Sequence, residues 1–270
     1  MGIFGRNFDK PGPGVNKDEP RKTGAARFFE LLLRDFWDLI KINLLFCLCI
    51  LPTMAVFILG SLNFFGGYSG IALVLSLVFA FPVGGALTAY VYYITKMMRD
   101  DPSYVWYEFK RKFSENYIQA APVGILCAAF VYAQILLWIS LLFNETGTEL
   151  VLPILALLSL ILFGMITPYI FLHFAYIDLK TTGIIKNSIF MSFGYMPRSF
   201  MGALLGGIMW IVFAAFFEIS LLAVPFIVLV GISISILLCM MWIWKPFDEH
   251  FKIEEQLIAR REEENSKEIK

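Results

Sequence analysis

Long apolar runs separated by a few dense clusters of charge decide what this chain can fold into. All 22 Lys and Arg fall in four segments, and the stretches between them carry none. Each intervening stretch holds one or two runs of the roughly 20 apolar residues that a helix needs to cross a hydrocarbon core about 30 Å thick. With 59% hydrophobic and 16% charged residues among 270, a soluble fold would expose large apolar patches, which soluble monomers avoid. A bilayer removes that conflict. The sequence predicts an all-α, polytopic membrane helical bundle.

The first predicted span runs from about Ile40 to Gly60 and the second from Ile71 to Ile94, joined by a Gly-rich uncharged turn. A third covers Gln119 to Phe143, and a fourth follows the acidic turn 144–149, from Leu150 to Ile177. The stretch from Phe200 to Trp244 is twice the length one helix needs, so it reads as two spans meeting near Ile219 to Val224. That makes about six transmembrane helices. The segment to Lys41 carries eight Lys and Arg, the Lys96–Glu115 loop five, the Asp178–Arg198 loop three, and the tail from Lys245 six. Short basic segments stay inside, which predicts cytoplasmic N- and C-termini. Trp106, Trp138, Trp242 and Trp244 fall near span ends, where aromatic belts sit, while Trp210 lies deeper and reads as a packing residue.

Residues 1–24 read as a cytoplasmic N-terminal segment, 25–247 as the membrane domain with a preceding interfacial helix, and 248–270 as a charged cytoplasmic tail. Ala25 to Lys41 is amphipathic. Phe28, Phe29, Leu32, Phe36, Leu39 and Ile40 form one face, and Arg27, Glu30, Arg34, Asp38 and Lys41 the other. In the first basic loop, Ser103 is the expected N-cap of a second amphipathic helix with Val105, Phe109, Phe113 and Tyr117 at i+4 intervals. This helix reads either as an ordinary interfacial helix that covers the bundle or as a docking helix for a partner or for anionic lipid, with Phe109, Lys110, Arg111, Lys112 and Phe113. The loop after the fourth span has a similar shape, with Ile184, Ile185, Ile189 and Phe193 at helical spacing and Lys186, Asn187 and Arg198 as further docking candidates. An offset of 78 residues superposes Asp100 on Asp178, Ser114 on Ser192, Tyr117 on Tyr195 and Gly124 on Gly202. It reads either as a parallel internal repeat or as chance identity.

Ionisable groups inside a membrane are expensive and mark function, and here they are scarce. His173 lies toward the inner end of the fourth span and reads as a histidine bonded to a neighbouring helix rather than a catalytic base. Glu218 reads as an exposed cap. Cys47, Cys49, Cys127 and Cys239 all lie in apolar runs and read as small packing residues. No metal-ligand spacing, nucleophile elbow or phosphate-binding Gly loop appears. No catalytic residue, metal or cofactor is expected, nor a nucleic-acid partner. Gln134, Asn144, Thr167, Ser140 and Ser159 form a polar line that reads as helix-packing glue. A sharper alternative has helices bent at Pro52, Pro82 and Pro168 lining a path for an uncharged solute such as a sugar, with Tyr90, Gln134 and Tyr169 along it. Gly84, Gly85, Gly202, Gly206 and Gly207 suit close helix contact.

The run Phe8-Asp9-Lys10-Pro11-Gly12-Pro13-Gly14-Val15, with Lys17 and Pro20, resembles the opening of the YesL-like family of bacterial integral membrane proteins. The resemblance continues through Phe28-Phe29-Glu30, Phe36-Trp37, Asn43-Leu44-Leu45, Leu51-Pro52, Gly84-Gly85-Ala86, Ala89-Tyr90 and Arg99-Asp100. It extends to Asp178-Leu179-Lys180, Ile185-Lys186-Asn187-Ser188 and Pro197-Arg198; Glu108-Phe109 departs from that family's more usual Asp-Phe. The resemblance implies a bacterial cell membrane and a non-catalytic accessory of a carbohydrate ABC uptake system, with a permease or ATPase subunit as partner. An autonomous permease is the alternative, and a membrane enzyme the weakest reading.

Overall fold

The computed structural model describes residues 22–62, 69–101, 104–143, 151–217 and 223–268. Among them all regular structure is helical. Helix α1 covers Gly24–Arg34, α2 Phe36–Ser61, α3 Ser69–Phe79, α4 Val83–Met98 and α5 Val105–Phe143. Then come α6 Val151–Tyr176, α7 Thr181–Gly194, α8 Met196–Phe217 and the short α9 Ala223–Phe226. A π turn at Ile227–Gly231 leads into α10 Ile232–Phe251, and α11 Ile253–Glu268 closes the chain. Among the described residues four helices are long and apolar enough to cross a membrane, and five if the bent pair α3–α4 counts as one crossing. The chain is a multi-pass membrane protein by that measure.

The main hydrophobic core lies toward the end of the bundle where the charged segments gather. It draws on α4, on Tyr169–Phe174 of α6 and on Leu237–Phe247 of α10. A smaller cluster of Phe57, Ala80, Val83, Ala128 and Tyr132 packs the opposite half. There the first turns of α6 are apolar on almost every side yet exposed: Leu152, Ile154, Leu155, Leu157 and Leu158 all face outward. In water such a helix would aggregate; among acyl chains it costs nothing.

The seam that fixes the bundle is between α4 and α5. A methyl group placed on Gly84 would lie 2.0 Å from the Ala120 carbonyl oxygen, and one on Gly124 2.2 Å from the Gly84 nitrogen. Both contacts are with backbone, which cannot swing aside. Lys96 facing Glu108 and Gly85 facing Phe113 and Tyr117 show that the two helices run antiparallel. The seam was legible at Gly84 and Gly85; Gly124 entered only through the 78-residue offset.

Several sequence expectations change. The second span is broken at Ala80–Pro82, with a bend of 46° between α3 and α4. Pro82 has no N–H to continue α3, and as N-cap its carbonyl accepts from Ala86 at 3.0 Å. The predicted loop helix and third span merge into α5, whose 39 residues reach about 58 Å at 1.5 Å per residue. That is nearly twice the hydrocarbon thickness, so the charged first third of α5 is a stub projecting from the apolar band. The predicted amphipathic helix from Ala25 to Lys41 divides at Asp35, whose N–H closes on the Leu31 carbonyl at 2.9 Å. Trp244 is buried in the core rather than at a belt, and Trp210 is half exposed on the outside of α8. The 78-residue offset carries the end of α4 at Met98 onto the end of α6 at Tyr176. However, α5 runs unbroken through Tyr117, where the matching Tyr195 separates α7 from α8. Ser103, Asn144, Glu218 and the motif from Phe8 to Val15 lie outside the described residues, as does most of the predicted split near Ile219 to Val224.

Alanine at Gly84 or Gly124 forces these backbones apart and is expected to cost about 1–3 kcal/mol. In detergent this lowers the midpoint of thermal unfolding by on the order of 5 °C. Gly207→Ala, where a methyl meets nothing within 4 Å, leaves the midpoint unchanged.

Candidate functional site

Thirteen of the sixteen residues of α4 are buried, so its C-terminal carbonyls end inside protein, where unpaired backbone groups are costly. The chain closes this end with a left-handed cap. The N–H of Asp101 donates to the Lys96 carbonyl at 3.3 Å and that of Asp100 to the Met97 carbonyl at 3.1 Å, the paired bonds of a Schellman motif. The position between, usually Gly, is Asp100 at φ 62°. A non-Gly residue there carries local strain, and its carboxylate shows what offsets it. Arg27 donates to Asp100 at 2.7 Å and to the Met98 carbonyl at 3.0 Å; Arg34 donates to Asp100 at 2.5 Å and to the Met97 carbonyl at 3.3 Å. Burial by itself would raise the Asp100 carboxyl, but hydrogen bonds from Arg34 and Arg27 outweigh it and hold it below its ordinary range.

Arg27 and Arg34 are seven residues apart, two turns of α1, and so share a face. That face turns toward the bundle: Arg27 and Leu31 are buried, while Phe29 and Leu33 stand exposed. The two faces named from the sequence do not sort into inside and outside: Phe28, Leu32 and Leu39 pack on the core while Phe29 is exposed, and Arg27 is buried while Arg34 keeps an exposed edge. The surface that the two arginines meet is the Asp100 carboxylate and the carbonyls at the end of α4.

One residue before Asp100, Arg99 is buried and joins two other helices. Its guanidinium donates to the Tyr176 hydroxyl at 2.8 Å and to Asp101 at 3.1 Å. It also lies 5.4 Å from the Tyr176 ring centre and 5.1 Å from that of Trp244, in cation–π range. The Trp244 indole N–H in turn donates to Glu254 of α11 at 3.3 Å. The start of the charged tail, Ile253 with Leu257 behind it, is thereby docked on the core. On the other flank Glu108 is buried between Lys96 at 2.5 Å and Arg111 at 2.6 Å, and Arg111 also reaches the Tyr92 hydroxyl at 2.9 Å. These charges form one collar around the end of α4, binding α1, α5, α6, α10 and α11.

The predicted docking residues divide on this geometry. Phe109 is buried in the core and Phe113 packs against it. Arg111 is held by Glu108, and Lys112 by Glu115 at 2.8 Å with its amine over the Tyr92 ring. Lys110 is exposed on the stub, Lys186 is exposed on α7 and Asn187 half-buried there, and Arg198 meets Glu249 at 3.4 Å. The predicted path residues are all buried and each is bonded between helices. Tyr90 of α4 shares its hydroxyl with Asn43 of α2 and Ser233 of α10, both at 2.6 Å. Gln134 of α5 donates to Ser159 of α6 at 2.7 Å, and Tyr169 of α6 meets Ser199 of α8 at 3.2 Å. Tyr90 and Tyr169 belong to the same core cluster.

His173 is fully buried. Its Nδ1 lies 2.7 Å from the Tyr169 carbonyl, which can only accept, and 3.0 Å from Ser188 of α7. Nε2 has no hydrogen-bond partner, and the imidazole ring meets those of Phe247 and Phe251 edge-on. Among the described residues no three His, Cys, Asp or Glu gather as a metal site.

In the sequence Arg99-Asp100 stands out only through the family resemblance, and Arg27, Arg34, Tyr176 and Trp244 lie too far apart to read as a cluster. The usable signal was the i, i+7 spacing of Arg27 and Arg34 beside a basic-acidic helix end. Comparison with known proteins finds no family model, no curated protein and no solved structure that matches the chain.

Because the folded Asp100 carboxyl titrates below its unfolded value, the clamp on α1 is complete above about pH 4. It is lost as pH falls through the lowered folded value. Asp100→Asn imposes that loss at neutral pH and exposes Arg27 and Arg34 to trypsin in mild detergent. A double-mutant cycle on Arg34→Ala and Asp100→Ala is expected to give a coupling of about 1 kcal/mol; additivity would show that the pair does not hold α1.

Proposed function

We propose that this chain is a non-catalytic protein of a bacterial plasma membrane, serving as accessory or partner subunit of a carbohydrate ABC uptake system. In this reading it crosses six times with both termini in the cytoplasm. The four long apolar helices and the bent pair α3–α4 provide five crossings. Helix α8, with 22 residues and so about 33 Å long, is the sixth. All four basic segments then lie inside, as the positive-inside rule asks.

The observation that carries the role is the stub of α5. Its inner side is locked to the core by Glu108, which meets Lys96 of α4, and by Phe109, both buried. Its outer side presents Trp106, Tyr107, Lys110, Ser114 and Ile118 in an exposed stripe. Aromatic side chains beside a cation, on a helix already rigid, suit a protein interface, because little ordering remains to oppose binding. The carbohydrate assignment draws on the resemblance to the YesL-like family. The permease reading draws on one observation, the buried Oε1 of Gln134, which has no hydrogen-bond partner. Tyr90 and Tyr169, committed to neighbouring helices, add nothing to it.

Affinity purification in mild detergent, from cells grown on a plant glycan, is expected to recover an ABC permease or its ATPase in near-stoichiometric amount. Lys110→Glu combined with Trp106→Ala should reduce that recovery on the order of tenfold without altering the elution of the protein itself. Arg111→Glu is unsuitable as a probe, since it would place two carboxylates against each other at Glu108. Recovery of the protein alone would overturn the accessory role. Sugar flux in proteoliposomes no greater than in empty vesicles would remove the permease reading. Cysteine at Lys186 is expected to label only from inside, and at Thr146 only from outside.

A further inference from the structure

We propose that α7 is a lipid-binding helix of the cytoplasmic leaflet. Its outward face of Ile189, Phe190 and Phe193 is set among acyl chains, and Lys180 and Lys186 lie on the phosphates of anionic lipids. The observation is that α7 is inverted. Its inward residues are Ile184, Ser188, Met191 and Ser192, with both serines fully buried, while Phe190 is 65% and Phe193 49% exposed. A helix on a watery surface places serine outward and phenylalanine inward. The reverse arrangement is favourable only where the surroundings are apolar.

Length and depth identify that surrounding as the lipid interface. The 14 residues of α7 measure about 21 Å, too short to cross the core, and its two ends lead from α6 into α8. Its first turn is tied to Gln119 of α5. The Gln119 side chain donates to the Leu179 carbonyl at 2.5 Å, and the Gln119 carbonyl accepts from the Thr181 hydroxyl at 3.4 Å. Gln119 lies four residues beyond Glu115, where the charged part of α5 ends and its apolar run begins. The start of α7 is therefore level with the boundary between water and hydrocarbon. Charge agrees with that depth. Lys180 and Lys186 are exposed, and neither forms a salt bridge among the described residues. The Lys186 amine lies 5.9 Å from the Phe190 ring centre, so cation and exposed aromatic share one side of α7, the pairing of a lysine that reaches from an apolar layer to the headgroups. Lys186 thus belongs to lipid rather than to a protein partner.

The inference rests on the inward placement of the basic segments proposed above, and the test separates the two. In a variant with the four native cysteines replaced, nitroxide labels are placed singly at Phe190, Phe193 and Ser188, and the protein is reconstituted in phosphatidylcholine vesicles with and without phosphatidylglycerol. Labels at 190 and 193 are expected to be relaxed by oxygen far more than by a water-soluble nickel chelate, and the label at 188 by neither. Greater relaxation by nickel at 190 and 193, or relaxation by neither reagent, would overturn the lipid assignment. Lys180→Gln and Lys186→Gln should each lower the enrichment of phosphatidylglycerol around the protein by roughly fivefold. Unchanged enrichment in the double variant would overturn the headgroup contact. The side from which a cysteine at Lys186 labels reports the topology alone.

Discussion

The whole charged end of this molecule depends on how helix α4 stops. A helix that ends inside protein leaves carbonyls without water, and each must find a donor. Here the donors are the chain's own turn at Asp100 and Asp101 and the guanidiniums of Arg27 and Arg34. Since those arginines belong to α1, capping α4 also fixes where the chain enters the bundle. Arg99 and Lys96, on the same last turn, extend the arrangement to Tyr176, Trp244 and Glu108. Five helices are positioned by charges that sit within six residues of one another in sequence.

The glycine seam makes that arrangement possible. Backbone contact at Gly84 and Gly124 lets α5 approach α4 closely enough for Glu108 to meet Lys96 one helical stretch further along. With larger side chains at the crossing, the two helices would separate and the buried carboxylate would lose its partners, which is more damaging than the loss of a surface pair. Close packing is concentrated at this end. The opposite half, with the exposed leucines of α6, depends on the hydrocarbon around it. Buried hydrogen bonds such as Tyr90 with Asn43 and Ser233 then hold helices that hydrophobic burial alone does not draw together in lipid.

The same two helices show where a sequence pattern is ambiguous. In α1 the arginines face the bundle and Phe29 and Leu33 face out; in α7 the serines face in and the phenylalanines face out. Periodicity identified both as amphipathic or near it, and it located α7 closely. It could not say which face was the inside, because near a membrane both sides of an interfacial helix can be apolar or charged. The stub of α5 is ambiguous for a related reason. Val105, Phe109, Phe113 and Tyr117 share a face, but that face is spent on α4, and the free stripe runs through Trp106, Lys110, Ser114 and Ile118.

By itself the sequence determined the helical class, several apolar spans, a bend at Pro82, the close contact at Gly84 and Gly85, and the scarcity of ionisable groups among them. Each follows from local chemistry: apolar length against bilayer thickness, a missing N–H, a missing side chain, the cost of a buried charge. Only the tertiary structure decided that a loop helix and a span are one rod, that Arg27 and Arg34 of α1 meet the end of α4, and that Arg99 sits between Tyr176 and Trp244. Those outcomes depend on which donors and acceptors from distant segments arrive at the end of α4 together. No window of sequence contains both partners of such a contact, and the reward for making it exists only once the helices have packed.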